Sequence, residues 1–220
     1  RIPRVIRVPY GIPIRAPYPI FRRQRKIAGG LDEVAGKVED KVLFGRIKIK
    51  QVEPYITDLV FVKGENEVSL VRASSSIGEL APLVLFLRYY VNPDELMVIE
   101  EPEAHLHPSN IKSLAKLIGE LVNRGVNILI TTHSDYFLSQ ISNLVRASTA
   151  SEDTRKQLGI TEAQTLRPED ASVYLFRLEE DGSCAEELEV SEEGIPLDEF
   201  NKITEELQEE REILSYQKSG

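Results

Sequence analysis

The feature that most constrains the fold of this sequence is a strand–helix–strand pattern near its middle. The first strand is LMVIE (96–100), a short and almost wholly apolar run of the kind that is buried in parallel sheets. The helix is PSNIKSLAKLIGELVNRG, with apolar residues at helical spacing, Pro108 near its start and Gly125 just past its end. The second strand is VNILITTHS. Strands joined through a helix form a parallel βαβ unit, so the sequence predicts an α/β fold with a mainly parallel central sheet.

Other segments add hairpins and helices to this unit. Two segments, ITDLVFVKGENEVSLVR and ASVYLFRLEEDGSCAEELEV, each contain two β-rich runs on either side of a turn and therefore predict β-hairpins. A helix from about Ile77 to Tyr90 has apolar residues on nearly every side, so we expect it to be deeply buried. The polar stretch 146–169 predicts a linker or mobile loop, and Leu197–Leu214 predicts an acidic, amphipathic helix.

Charge divides the chain into unequal parts. Residues 1–31 contain eight basic side chains and no acidic one, so all 36 Asp and Glu residues lie beyond them. We therefore divide the chain into a basic, proline-rich arm (1–31), a central lobe (32–190) and an acidic terminal helix (191–220). The arm could contact the phosphates of a nucleic acid, or it could lie on the acidic body of its own chain. The sequence leaves both possibilities open.

Composition limits the compartment in which the protein works. No apolar run approaches the roughly 18–20 residues that a membrane-spanning helix needs, so we expect no membrane association. The single cysteine, Cys184, excludes an intrachain disulfide and is typical of a reducing compartment, which indicates the cytoplasm. The chain opens on RIPRVIRVPYG without an initiator methionine, and we expect it to be a trimmed or processed segment.

Polar side chains follow both strands of the βαβ unit. Glu100 and Glu101 end the first strand, and the run Thr131–Ser134, which includes His133, ends the second. In open α/β sheets, ligands bind beyond the carboxyl ends of the strands. One carboxylate there can hold a divalent cation, a second can orient or deprotonate a water, and a histidine can contact a phosphoryl oxygen.

These residues match a known family of motifs. LMVIEEPEAHLHP, followed about 30 residues later by ILITTHSDYFL, resembles the Walker B, D-loop and switch-histidine segments of ABC-class P-loop ATPases. The run EEPEAHLHP is similar to the branch of predicted AAA-type ATPases grouped with the overcoming-lysogenization-defect (OLD) and RecF-like proteins. Upstream, SSSIGEL (74–80) resembles the signature motif, with Ile77 in place of its first glycine. The resemblance covers roughly residues 40–180 and implies a P-loop NTPase-like α/β lobe with helices flanking the sheet, plus β-hairpins.

The resemblance also implies a role for each matching residue. Glu100 would be the Mg²⁺-side carboxylate, although many relatives have Asp there. Glu101 would polarise the attacking water, and His133 would contact the γ-phosphate of ATP. The signature-like residues would act across an ATP-dependent homodimer or larger assembly: Ser76, Gly78 and Glu79. By the same analogy, the cofactors are ATP and Mg²⁺, and the cellular role is DNA-related or defence-related.

One part of such a site is missing from this sequence. No G-x-x-x-x-G-K-[ST] occurs in it, so it contains neither the phosphate loop nor the lysine of that loop. We expect this chain to correspond to the C-terminal half of such an ATPase. ATP hydrolysis is then expected only with a phosphate loop supplied by upstream sequence or by another chain, and the segment alone is expected to be nearly inactive.

Other interpretations stay open at this point. Ser76 and Glu79 also fit a capping box, which needs no ligand. The whole chain could be a degenerate ATPase half that binds a protein partner or a nucleic acid without catalysis. A third hypothesis is a metal-dependent hydrolase, with zinc held by His105, His107 and His133.

Overall fold

The computed structural model of the chain describes residues 5–8, 31–53, 56–179 and 182–216. Most of the basic arm predicted for residues 1–31 lies outside the described residues. The strands are β1 (Val5–Val8), β2 (Arg46–Glu53), β3 (Ile56–Lys63), β4 (Asn66–Ser69), β5 (Leu96–Glu100), β6 (Asn127–Thr131), β7 (Val173–Glu179) and β8 (Gly182–Leu188). The α-helices are α1 (Asp32–Val38), α2 (Ser75–Tyr89), α3 (Pro108–Asn123), α4 (Asp135–Arg146), α5 (Glu152–Leu158) and α6 (Asp198–Tyr216).

A parallel sheet contains the predicted βαβ unit. Its strand order is β1-β5-β6, with β5 parallel to both neighbours. Met97 and Ile99 of β5 are buried, and α3 crosses from β5 to β6 with its apolar face in the core. The prediction of an α/β fold around a parallel sheet is therefore confirmed.

Helix α2 lies at the centre of the core. Every residue from Leu80 to Leu87 is buried, as its apolar composition on all sides predicts. The first turn of α2 is less buried than this middle part, so the start of the helix remains accessible. This arrangement exposes the signature-like segment while the rest of the helix packs inside.

A buried carboxylate joins α2 to the elements before it. Glu39 opens a π-helical turn (Glu39–Leu43) directly after α1, and its side chain is only 1% exposed. Its two oxygens accept hydrogen bonds from Arg88 at 2.8 and 3.3 Å, from Arg46 at 3.2 Å and from the backbone N–H of Ile47 at 2.7 Å. Burial opposes the charge of Arg88, but the hydrogen bonds that its guanidinium donates to Glu39 and Asp32 outweigh this effect and raise its pKa.

A second ionic network joins α1 to α3. Glu120 is nearly buried and accepts hydrogen bonds from Lys37 at 2.6 Å and from Arg124 at 2.8 Å. Glu33 pairs with the same two cations, at 2.7 Å in each case. Hydrogen bonds from Lys37 and then from Arg124 lower the pKa of Glu33 to about 2. The two carboxylates therefore share two cations, which tie α1 to the end of α3.

The hairpins predicted from the sequence are confirmed. Strands β2, β3 and β4 form an antiparallel sheet in that order, and β7 pairs with β8. The β7–β8 hairpin is poorly covered, since Phe176 and Leu178 are 74% and 87% exposed. The predicted acidic terminal helix corresponds to α6. Among the described helices, none combines the length and the apolar character that crossing a lipid bilayer requires.

The prediction of a linker or mobile loop over residues 146–169 is wrong. Helix α5 forms there, with Ser151 capping its start through Thr154 and Gly159 ending it in the left-handed conformation. Ile160 and Leu166 then pack into a second small core with residues of α4. These two apolar anchors and the capping residues fix a segment that its polar composition alone suggested was loose.

Candidate functional site

The two polar clusters meet at the carboxyl edge of the parallel sheet. Glu100, the last residue of β5, lies opposite Thr131, the last residue of β6. The backbone N–H of Glu101 donates to the carbonyl oxygen of Thr131 at 2.8 Å, so the chain stays paired just past the strand. The structure thus brings both strand ends together, as the βαβ pattern predicts.

Glu101 and His133 contact each other at this edge. Glu101 Oε1 lies 3.4 Å from His133 Nδ1, and both side chains are open to solvent, at 42% and 80% exposure. Glu101 has φ +41°, a left-handed conformation that is uncommon for a residue with a side chain. The chain therefore turns sharply at the residue that carries the carboxylate, and such strained positions cluster at functional sites.

The segment after Glu101 is a tight turn that leads into α3. The N–H of Ala104 donates to the carbonyl of Glu101 at 2.9 Å, and the N–H of Leu106 donates to the carbonyl of Glu103 at 3.0 Å. His105 is also left-handed, with φ +60°. The resemblance predicts a D-loop for this turn, and the turn's own backbone hydrogen bonds hold it in shape.

The structure gives a role to two residues, Glu103 and Thr132, to which the sequence assigned none. Glu103 is 6% exposed, and the hydroxyl of Thr132 hydrogen-bonds to its Oε1. Thr132 Oγ1 also accepts the backbone N–H of Ser134 at 3.1 Å. The sequence showed both side chains near the predicted site but gave no sign that this carboxylate, alone among those near it, turns inward.

The three histidines do not form a metal site. His107 caps α3, because its Nδ1 accepts the N–H of Ser109 at 3.3 Å and lies 2.9 Å from the hydroxyl of that serine. His105 lies in the turn before it, and His133 pairs with Glu101. In the part of the chain that the structure describes, which includes all three histidines, no three His, Cys, Asp or Glu side chains are grouped to hold a metal. The zinc-hydrolase hypothesis therefore gains no support.

The carboxylates at this edge are suited to bind an Mg²⁺ ion that is also coordinated by a phosphate group. Glu100 offers a partly exposed carboxylate at the strand end, and Glu101 follows it directly. Mg²⁺ prefers oxygen ligands and is usually held by one or two carboxylates together with phosphate and water, not by a cage of protein groups. The site has two adjacent carboxylates and no larger cluster of metal-binding side chains among the described residues, which is the arrangement that Mg²⁺ sites usually have.

The signature-like residues lie on another element, in the first turns of α2. The helix begins at Ser75 after the N-cap Ser74, whose side chain makes no cap hydrogen bond. Ser76 is thus the second helical residue and not the N-cap, so the capping-box interpretation is not supported. A Cβ added at Gly78 would meet no atom of the described residues beyond its own stretch of helix within 4 Å. Packing among the described residues therefore does not require a glycine there.

Sequence comparison relates this chain to known ATP-binding proteins. A family model described as an AAA ATPase domain matches residues 22–138, a range that contains every candidate site residue. The Nod factor export ATP-binding protein I of Rhizobium meliloti is 29% identical over 99 residues, which cover 43% of this chain and 29% of that protein. The chain thus spans less than a third of that relative.

Solved structures with a similar fold come from SMC ATPases. One, from work on ATP-driven dimerization and DNA-stimulated activation of SMC ATPases, aligns over 81% of this chain and 91% of its own, with a TM-score of 0.50 and 13% identity. The Smc head domain with a coiled coil and joint from Pyrococcus yayanosii aligns over 81% of this chain and 28% of its own, with a TM-score of 0.48 and 15% identity. The first of these likenesses confirms the predicted P-loop NTPase-like, ABC-class fold.

Proposed function

This chain belongs to the AAA ATPase domain family, and we propose that its strand-end cluster is the hydrolytic edge of an ATP site. The observation that carries the proposal is the contact between Glu101 and His133, 3.4 Å apart at the ends of adjacent parallel strands. A carboxylate and an imidazole that are both open to solvent at this edge can reach a phosphate group and the water that attacks it.

The two carboxylates have different tasks in this proposal. Glu101 accepts a hydrogen bond from the attacking water and orients it, from a left-handed position at the turn that follows the strand. Glu100 holds Mg²⁺ through a carboxylate oxygen, directly or through water. When bound there, Mg²⁺ would neutralise the charge that develops on the transferred phosphoryl group. His133 contacts the γ-phosphate and keeps Glu101 in place through their shared contact.

A second subunit completes the site in this proposal. The start of α2 is open, and a helix N-terminus with serines is suited to bind an anion. We assign the contact with ATP on the opposite subunit to the residues of this segment: Ser76, Gly78 and Glu79. ATP would then hold two copies together. The proposal also places the chain in the OLD-like branch of these ATPases, in a DNA-related or defence-related role in the cytoplasm.

The phosphate loop has to come from elsewhere, because none occurs in these 220 residues. Turnover is therefore to be measured on the native full-length protein with ATP and Mg²⁺. Glu101→Gln should lower kcat by roughly 100-fold or more, the usual size of a general-base effect, while ATP still binds. Glu169→Gln, at an exposed acid in a 3₁₀ turn far along the chain, serves as the matched control and should leave kcat unchanged. Unchanged turnover in Glu101→Gln would refute the proposal.

A second candidate is a partner-binding module without catalysis, and the β7–β8 hairpin favours it. An isolated two-stranded hairpin is marginally stable in water, yet this one exposes Phe176 and Leu178. Apolar side chains so exposed often mark a surface for another protein. Thermal unfolding with and without Mg²⁺ and ATP separates the candidates, since a ligand that binds only the folded state raises Tm. An ATPase is stabilised by the nucleotide, and a degenerate module is not.

A further inference from the structure

Glu103 connects the ends of β5 and β6 through a short chain of hydrogen bonds. The Thr132 hydroxyl donates to Glu103 Oε1, and Thr132 Oγ1 accepts the N–H of Ser134 at 3.1 Å. Thr132 and Ser134 are the two neighbours of His133 in the sequence. The carboxylate thus holds the backbone on both sides of His133 from the turn that follows β5.

His133 needs such support because its own side chain is 80% exposed. A side chain so open to solvent is not fixed by surrounding packing, so its position depends on the backbone that carries it. The backbone of Glu101 is tied to the same strand end, through its N–H bond to Thr131. Fixing residues 131–134 therefore restricts the distance between the backbone positions that carry the imidazole and the Glu101 carboxylate.

The second oxygen of Glu103 distinguishes this carboxylate from Glu39, whose two oxygens both have partners. Oε2 is buried and has no hydrogen-bond partner among the described residues, and the side chain is more than nine-tenths buried. A buried polar atom without a partner destabilises the folded state, and an apolar side chain of similar shape avoids that cost. A group that destabilises its surroundings and yet supports the candidate site is expected to serve function.

We propose that Glu103 is a positioning residue, which holds His133 against Glu101 through Thr132. The proposal rests on the proposed function for its catalytic consequence, since it assigns to Glu103 the alignment of the residues that contact the phosphate and the water. Glu103 itself touches neither reactant. The hydrogen bonds from Glu103 through Thr132 to Ser134, however, can be tested without measuring turnover.

The catalytic test uses Glu103→Leu and Thr132→Val in the native full-length protein, with ATP and Mg²⁺. Misplacement of a catalytic group by about 1 Å can cost on the order of 100-fold, so we expect kcat to fall about 10- to 100-fold while KM for ATP stays within about twofold. The double variant should be no slower than the slower of the two single variants, because each substitution alone already breaks the same series of hydrogen bonds. Glu103→Gln and Thr132→Ser keep the acceptor and the hydroxyl, and should restore most of the activity.

Stability and amide exchange provide readouts that separate this proposal from the proposed function. Glu103→Leu should have a Tm equal to or above that of the wild type, and the Ser134 amide should exchange about tenfold faster in Glu103→Leu and Thr132→Val. If the wild type lacks ATP turnover, the proposed function fails, but faster Ser134 exchange in the variants would still support the positioning role of Glu103. Unchanged Ser134 exchange and unchanged kcat in Thr132→Val, or independent and additive losses in the double variant, would overturn it. Should Glu103→Leu fail to fold, Thr132→Val and Glu103→Gln decide the question.

Discussion

Removing the charge of Glu39 should unfold this protein at a markedly lower temperature. Its carboxylate is 1% exposed and neutralises Arg88, whose side chain is only 16% exposed. Glu39→Gln keeps the size and one acceptor oxygen, which can still take the N–H of Ile47. The buried guanidinium, however, loses its anionic partner, and breaking a buried ion pair on one side costs about 3–5 kcal/mol.

The structure places the expected loss at the lower end of that range. Arg88 keeps a second acid, Asp32, at 2.8 Å, although that side chain is half exposed. The bond from Arg46 adds little, because its side chain is 46% exposed and solvent screens it. We therefore expect a loss of about 3 kcal/mol. In a domain of this length each kcal/mol shifts Tm by about 2–4 °C, so Tm should fall by roughly 6–12 °C.

Thermal unfolding followed by circular dichroism, together with urea unfolding at constant m, measures this loss. Glu152→Gln is the matched control, because Glu152 forms an exposed pair with Lys156 on α5 and its loss should cost less than about 1 kcal/mol. The double variant Glu39→Leu with Arg88→Met should recover much of the stability, since an apolar pair replaces the ions. A Glu39→Gln shift no larger than that of Glu152→Gln would refute the reasoning.

Three further predictions concern pH, packing and subunit contact. Lys37 and Arg124 lower the pKa of Glu33 to about 2, so its contribution to stability is present above about pH 4.5 and is lost as the pH falls toward 2. The free energy of unfolding in urea should therefore differ between Glu33→Gln and the wild type at about pH 6, and the two values should converge near pH 2. Gly119→Ala should destabilise by about 1–3 kcal/mol in urea, because the added Cβ would lie 2.3 Å from a backbone carbonyl oxygen of the segment after α5. Gly78→Ala meets no such atom and should raise Tm slightly through helix propensity, yet it should weaken ATP-dependent dimerisation measured by analytical ultracentrifugation; unchanged dimerisation would contradict the signature role.

The parallel sheet and its strand-end cluster were predictable because their signals are local. Two apolar runs of strand length, joined by an amphipathic helix, leave few alternatives to a βαβ unit. The position of Glu101 and His133 at one edge follows from that topology, since both residues come directly after their strands. Sequence spacing therefore sufficed to predict that they meet.

Residues 146–169 were not predictable in the same way, because their structure depends on contacts with residues that are distant in the sequence. Their composition is polar, and only isolated apolar residues such as Ile160 and Leu166 reach the second core. The segment also depends on Gly119 of α3, where the absence of a side chain lets the backbone of residue 164 approach closely. Nothing local in either segment shows that they fit together.

The glutamates of this chain show where sequence reasoning must give way to structure. Glu39, Glu101 and Glu103 have the same side chain, but their surroundings give them different tasks. Glu39 is buried with cations and an N–H that satisfy both of its oxygens, which is the environment of a structural ion. Glu101 is open at a strained strand end beside an imidazole, which is the environment of a group that meets a ligand. Glu103 is buried with one oxygen bonded and the other without a described partner, which is the environment we expect of a group that positions the neighbours of His133. What distinguishes a structural, a reactive and a positioning carboxylate is thus the balance between burial and partners, and only the folded chain reveals that balance.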